Sequence, residues 1–213
     1  MPSKTILCIR HGESTFNAFA AESGGDPLHF DARLSKIGEL QVRRARDALR
    51  AIGIDLVITS PLTRALQTTA GLFAGHPSSP PILVEALHRE RVENSCDVGR
   101  SPSLLSRDFP TFVFGHLPEI WWHHHDSPDE RGVCIEPVAM VQSRASQFRR
   151  LLSLRSERVI AVVGHGTFFY NLTGQMLANC EVAEFTLDGA SGFQGMSATQ
   201  SRLAASGPPS KVL

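Results

Sequence analysis

Apolar and polar positions divide the chain into short apolar runs and longer segments of helical period. Residues 5–9 form an apolar run bounded by Lys4 and Arg10, short enough for a strand buried on both faces of a parallel sheet. His11-Gly12-Glu13-Ser14 would then stand at its carboxyl end. From Ser35 onward, Ile37, Leu40, Ala45, Ala48, Leu49 and Ile52 recur near the helical period and Gly53 follows as a stop. This predicts a helix with Ser35 as its N-cap. Residues 54–59 read as a second buried strand, and Ser60-Pro61 offers the N-cap and first helical residue of a helix with Arg64 in its first turn.

A Pro/Ser-rich loop at 76–81 precedes a short strand, Ile82–Val84. Between 85 and 132 the periodicity lapses and prolines accumulate, predicting an inserted lid or flap. Val138, Val141, Ala145, Phe148, Leu151 and Leu152 mark a long amphipathic helix, and residues 159–163 are the clearest strand of the chain. That strand runs into Gly164-His165-Gly166, with a helix expected over about 167–177 and a last strand at Val182–Leu187. Strands alternating with helices imply an α/β fold, a mostly parallel sheet with helices on both faces. Residues 189–213 turn to Gly, Ala, Ser, Gln and Pro, which predicts a flexible tail behind a catalytic domain over 1–188. No internal repeat is visible.

Composition narrows the picture. A length of 213 residues suits one core, and 42% hydrophobic with 20% charged residues is a globular balance. The apolar runs fall short of a membrane span, and the first residues show neither an h-region nor a cleavage site, so the cytoplasm is the expected compartment. Basic and acidic residues balance at 21 each, giving no field that would draw in nucleic acid or an anionic membrane. Any anion must be held by a local basic cluster. Arg43, Arg44, Arg46, Arg149 and Arg150 are expected on solvated helix faces. Cys8, Cys96, Cys134 and Cys180 form no C-x-x-C pair, so neither a zinc site nor a disulfide framework is supported.

Trp121-Trp122-His123-His124-His125-Asp126 raises the possibility of a metal site. In an extended segment only His123 and His125 could share a face, so no metal is expected there, and the tryptophans are better placed as an apolar wall of the lid. A dimer is the commonest homo-oligomer, and the sequence does not decide the matter.

Ligands of open α/β sheets bind beyond the carboxyl ends of strands, and two predicted strands here end in His-Gly. His11 and His165 could therefore meet, with Arg10 beside one of them and Arg64 at a helix start, whose N–H groups and dipole favour an anion. A neutral imidazole can attack phosphorus in line when cations offset the charge on the equatorial oxygens. His11 is the candidate nucleophile; a carbonyl accepting its other ring N–H would fix the tautomer, and Gly12 would let backbone pack close behind the ring. The departing alkoxide needs a proton, for which Glu90 is the candidate acid and Glu93 its competitor. Such an acid should titrate above the usual carboxylate range, through partial burial and the charge of bound phosphate.

Leu7-Cys8-Ile9-Arg10-His11-Gly12-Glu13-Ser14-x-x-Asn17 resembles the signature of the histidine phosphatase superfamily, the phosphoglycerate mutase-like group. Asp31-Ala32-Arg33-Leu34-Ser35-x-x-Gly38-x-x-Gln41, Ser60-Pro61-Leu62-x-Arg64-Ala65-x-Gln67-Thr68 and Val163-Gly164-His165-Gly166 are similar to its later blocks, in order. Leu87-His88-Arg89-Glu90-Arg91 is similar to the segment carrying the family's acid. The resemblance covers about residues 4–188 and implies a phosphoglycerate mutase-like fold, a phosphohistidine at His11 hydrolysed by water, and no cofactor. It also implies a phosphate pocket of Arg10, Arg64 and His165, joined by Asn17 and Gly166. Mutases continue past their Glu-Arg with a His-Tyr-Gly-like stretch and add basic residues for a substrate carboxylate. Here the chain reads Val92-Glu93-Asn94-Ser95-Cys96-Asp97, which resembles the phosphatase-type branch instead.

The leading expectation is thus a metal-independent phosphomonoester hydrolase acting on a small or medium-sized phosphorylated metabolite. A phosphoglycerate mutase-type phosphotransferase and a non-catalytic phospho-ligand binding protein remain as alternatives.

Overall fold

A computed structural model describes residues 3–187 and, as backbone, residues 196–203. Among the described residues the strands are β1 (Lys4–Arg10), β2 (Leu56–Thr59), β3 (Ile82–Val84), β4 (Val159–Gly164), β5 (Val182–Leu187) and β6 (Met196–Leu203). The helices are α1 (Thr15–Ser23), α2 (Lys36–Leu49), α3 (Thr63–Phe73), α4 (Pro102–Asp108), α5 (Val138–Leu154) and α6 (Gly166–Thr173). The sheet runs β3-β2-β4-β1-β5-β6; β1 to β4 are mutually parallel and β5 and β6 are antiparallel to their neighbours.

The central strands read as unbroken apolar runs because both faces are covered. Alternate residues of β1, Ile6 and Cys8, pack with Phe148 of α5 and Phe168 of α6. Leu7 and Ile9 point the other way, toward Val42, Ala45 and Leu49 of α2 and Leu72 of α3. Helices therefore lie on both faces, as the alternation of elements implies. Leu62, Leu66 and Val84 anchor a third apolar cluster beneath the insertion, completed by Leu105, Phe112, Phe114 and Trp121.

Several local expectations are corrected. Ser35 does cap α2, accepting from the Gly38 N–H at 3.0 Å, but the buried stripe is Gly38, Val42, Ala45 and Leu49. Of the apolar residues chosen by period, Ala45 and Leu49 lie on this buried face and Ile52 packs against it, whereas Ile37 and Leu40 are exposed. Ser60-Pro61 does not open α3: its cap is Leu62, without a side-chain bond, and the first turn is held by Asp31, whose Oδ1 accepts from the Thr63 N–H at 2.8 Å. Helix α6 stops at Thr173, because Gly174 adopts a left-handed conformation and ends it short of 177. Arg149 is not simply solvated, since it donates to the Leu172 and Asn171 carbonyls at the end of α6.

Two helices went unpredicted. Ser14 caps α1 through a reciprocal capping box with Asn17, and Pro102 starts α4 inside the otherwise irregular 85–132 stretch. Within the tail, 196–203 form β6 rather than loose chain; the remainder of that segment lies outside the described residues. No helix among the described residues is long and apolar enough to cross a membrane.

The loop after β1 presses directly on the first turn of α2. A Cβ built on Gly12 would stand 2.8 Å from the Gly38 carbonyl oxygen, and one on Gly38 would stand 2.0 Å from that of Glu13. Only hydrogen at both positions lets the backbones approach so closely. Ser35 and Glu13 then lock the contact, with the Ser35 N–H bound to the Glu13 carbonyl at 2.8 Å and the two side chains at 2.6 Å. A Gly38→Ala variant should lose on the order of 1–3 kcal/mol in urea unfolding, because backbone rather than a yielding side chain must move. An unchanged unfolding midpoint would count against this close packing.

Candidate active site

The register of the sheet delivers the two histidines together. Parallel pairing sets Arg10 opposite Gly164, so the next residues, His11 and His165, leave adjacent strand ends side by side, with ring centroids 5.2 Å apart. Pairing of Thr59 with Val163 brings Ser60 to the same edge, where its hydroxyl lies 2.8 Å from His165 Nε2. Both rings are buried. Burial and the nearby Arg64 guanidinium hold both imidazoles well below their ordinary value, so each is neutral.

The tautomer of His11 follows from its partners. Its Nδ1 lies 2.7 Å from the Gly12 carbonyl, to which it can only donate, leaving the Nε2 lone pair to accept from Arg64 Nε at 3.2 Å. The ring is pinned from behind: the His11 N–H donates to the Gly164 carbonyl at 2.9 Å, and the Gly12 N–H to the Thr68 hydroxyl at 3.1 Å. In His165, Nδ1 is buried without a hydrogen-bond partner among the described residues.

Arg10, His11, Ser14, Asn17, Arg64, Glu90 and Asp97 line one cavity of about 170 Å³, with Phe16, Arg91, Glu93, Asn94, Cys96 and Thr167 around it. Five of the seven expected site residues thus share a wall. His165 and Gly166 are not among the lining; the His165 ring stands beside that of His11, and Gly166 packs against the Arg10 guanidinium, where a Cβ would come within 3.3 Å of Arg10 Cζ. Asn17 Oδ1 is occupied by the Ser14 N–H and hydroxyl, at 3.1 and 3.0 Å, so what the side chain can offer a ligand is its amide N–H groups.

Glu90 caps α6 from outside. Its Oε2 accepts from the Thr167 N–H and its Oε1 from the Phe168 N–H, each at 3.0 Å, while Oε1 also accepts from Arg91 N–H. Burial, then the nearby charge of Asp97, pushes this carboxyl up despite those donors. Glu93 is exposed and its carboxylate is paired with Arg91 at 3.0 Å. His88 is a packed core residue, stacked on Phe148 at 4.7 Å, and burial drives it down to about 3.

One charged residue of the cavity was missed in the sequence. Asp97 sits on a one-turn 3-10 helix, Ser95–Asp97, and meets Arg64 at 2.8 Å with both side chains almost fully buried. Nothing in a lone Asp within an aperiodic stretch signals this. The tryptophans do not overhang the cavity; Trp121 packs in the third apolar cluster and donates to the Arg100 carbonyl at 2.8 Å. His123 pairs with Asp126 at 2.6 Å, and no group of three potential metal ligands occurs among the described residues.

A family model described as histidine phosphatase superfamily (branch 1) matches residues 6–191. The chain belongs to that superfamily. It is 27% identical to a phosphoglycerate mutase-like protein of Arabidopsis thaliana, over 83% of this chain and 76% of that protein. It is 30% identical to a 2,3-bisphosphoglycerate-dependent phosphoglycerate mutase of Methylobacterium sp. (strain 4-46), over 76% of each chain. In fold it is similar to a mycobacterial glucosyl-3-phosphoglycerate phosphatase, with a TM-score of 0.61, 18% identity, and 93% and 97% of the two chains covered. This superfamily member is thus related to phosphatases and phosphoglycerate mutase-like enzymes, and its fold is theirs.

The segment carrying Glu90 is clamped from α5. Arg144 donates to the Leu87 and Arg89 carbonyls at 2.6 and 3.0 Å and forks onto Glu136, which also binds Arg89 at 3.0 Å and the Val92 N–H. Burial alone would raise the Glu136 carboxyl, but Arg144 and Arg89 outweigh it and hold the group below its ordinary value. Its contribution to stability is therefore full above the ordinary glutamate range and is lost as pH falls through the lowered native value. Glu136→Gln should lose about 3–5 kcal/mol at neutral pH, since it strands two buried guanidiniums. In urea titrations the gap to wild type should close on strong acidification; a gap independent of pH would refute the assignment.

Proposed function

We propose that the protein is a metal-independent phosphomonoester hydrolase of the cytoplasm that works through a phosphohistidine at His11 on a small or medium-sized phosphorylated metabolite. The observation that carries this reading is the Nε2 lone pair of a neutral, tautomer-locked His11 beside Arg64, in one cavity with Arg10 and Glu90. A substrate phosphoryl group would take the Arg64 Nε–H from His11 Nε2, freeing the lone pair for attack while the guanidiniums offset charge on the equatorial oxygens. Ser60 can donate to His165 Nε2, which leaves the orphaned Nδ1–H of His165 to donate to a phosphoryl oxygen.

In the first step an Nε2–phosphorus bond forms, the phosphorus–ester oxygen bond breaks, and Glu90 passes its proton to the leaving oxygen. In the second, water attacks phosphorus and returns a proton to the Glu90 carboxylate, releasing phosphate and neutral His11. The mutase alternative needs a cation for a substrate carboxylate. The rim cation Arg91 is already bound to Glu93 and to the Glu136 carbonyl, which favours hydrolysis.

Incubation with p-nitrophenyl phosphate should release phosphate and yield acid-labile phosphate on His11 that is absent from His11→Ala. No turnover from about pH 5 to about pH 8 would sink the reading. Because burial and Arg64 hold His11 well below its ordinary value, the acidic limb of kcat/KM should lie below the usual imidazole range. Glu90→Gln should slow release of an alkyl phosphate by ~10²- to 10⁴-fold and of nitrophenyl phosphate far less, because nitrophenolate needs little protonation.

A further inference from the structure

Asp97 is a second buried carboxyl in a cavity lined by the Arg10 and Arg64 guanidiniums. Its Oδ1 accepts from Arg64 at 2.8 Å, and its Oδ2 accepts from the Asn94 and Glu93 N–H groups at 3.1 and 3.3 Å. The turn that carries it is bolted down. The Ser95 N–H and hydroxyl bind Asp26 at 2.7 and 2.5 Å, and Arg131 ties Asp26 to the Glu93 carbonyl, each bond at 3.0 Å. Asp97 cannot swing out to make way for phosphate without dismantling that turn.

With Glu90 and Asp97 both ionised, a phosphate dianion would bring the buried site to four negative charges against the two of Arg10 and Arg64, the Arg91–Glu93 pair adding no net charge. One carboxyl must therefore hold a proton in the loaded site. Burial raises both carboxyls, but Asp97 touches a guanidinium and accepts from two backbone N–H groups, whereas the donors to Glu90 are all neutral backbone N–H groups. The proton belongs on Glu90.

We propose that Asp97 is the positioning residue that keeps Glu90 protonated: fixed as an anion against Arg64, it leaves the leaving group's proton on the neighbouring carboxyl. The proposal rests on the phosphatase reading above. The other titratable or charged groups around the pair are Arg10 and His11 at the end of β1, with His165 beside His11, Arg64 on α3, and Arg91, Glu93 and Cys96 from the insertion. Helix α6 contributes the N–H groups of Thr167 and Phe168.

The test compares wild type with Asp97→Asn on glycerol phosphate and on p-nitrophenyl phosphate across pH. Removing the Asp97 charge lets Glu90 ionise earlier. The high-pH limb of kcat for glycerol phosphate should therefore move down by about one pH unit or more, with kcat near neutrality falling about tenfold. Nitrophenyl phosphate should be affected much less. A high-pH limb left at its wild-type position overturns the proposal, as does an equal loss on both esters.

An amide at position 97 would face N–H donors and could unfold the turn, so carboxyl carbon NMR titration of the wild-type protein supplies an independent reading. Asp97 ionising before Glu90 supports the proposal; Glu90 ionising first overturns it. If wild type hydrolyses neither ester and forms no phosphohistidine, the phosphatase reading fails. If wild type turns over while Asp97→Asn leaves the limb unmoved, only the role of Asp97 fails.

Discussion

The parallel pairing of β1 with β4 is the constraint on which the site depends. Register on a parallel ladder is an all-or-none quantity, and here it sets Arg10 against Gly164 and hence His11 beside His165. A slip of one residue would send one imidazole to the opposite face of the sheet and expose alternate core residues on both strands. The two apolar clusters that cover the sheet therefore hold the chemistry in place as well as the fold. Helix α3 joins the same edge through β2, which delivers Arg64 to within hydrogen-bond distance of His11.

Around that edge the polar groups are arranged in successive supports. His11 leans on the Gly12 and Gly164 carbonyls, Arg64 on Asp97 and the Cys96 carbonyl, and Glu90 on the amino end of α6. Behind them stand the capping carboxylate Asp31, bound by Arg100 at 2.7 Å, and the Arg89–Glu136–Arg144 cluster. Buried ion pairs contribute little net stability against an apolar replacement, because desolvation offsets the attraction. Their value here is geometric: each removes a rotational freedom from a side chain or loop that faces the cavity.

Burial also sets the charge state of the site. Two imidazoles are kept neutral, and of the two buried carboxyls only Asp97 pairs directly with a guanidinium, that of Arg64, while Glu90 is held by backbone N–H groups. A cavity of that composition is poised for a phosphoryl dianion. On the proposed reading, the carboxyl that touches Arg64 stays ionised and the other serves as the acid.

Much of this was legible along the chain. The apolar runs at β1, β2 and β4 announce a buried parallel sheet, and strands that end in His-Gly, with Arg10 and Arg64 near them, announce where a ligand would sit. Those features are local, since they depend on which side chains follow a strand and on the side-chain periods of strand and helix. Distance along the chain hides everything else. Which face of α2 is buried, why Ser60 serves His165 rather than α3, and how Asp97 reaches Arg64 are all settled by contacts between residues far apart in sequence. The insertion shows the limit most plainly. Its backbone lacks a repeating pattern, so its conformation is dictated by long-range pairs such as Ser95 with Asp26 and Arg100 with Asp31, which no period in the sequence encodes.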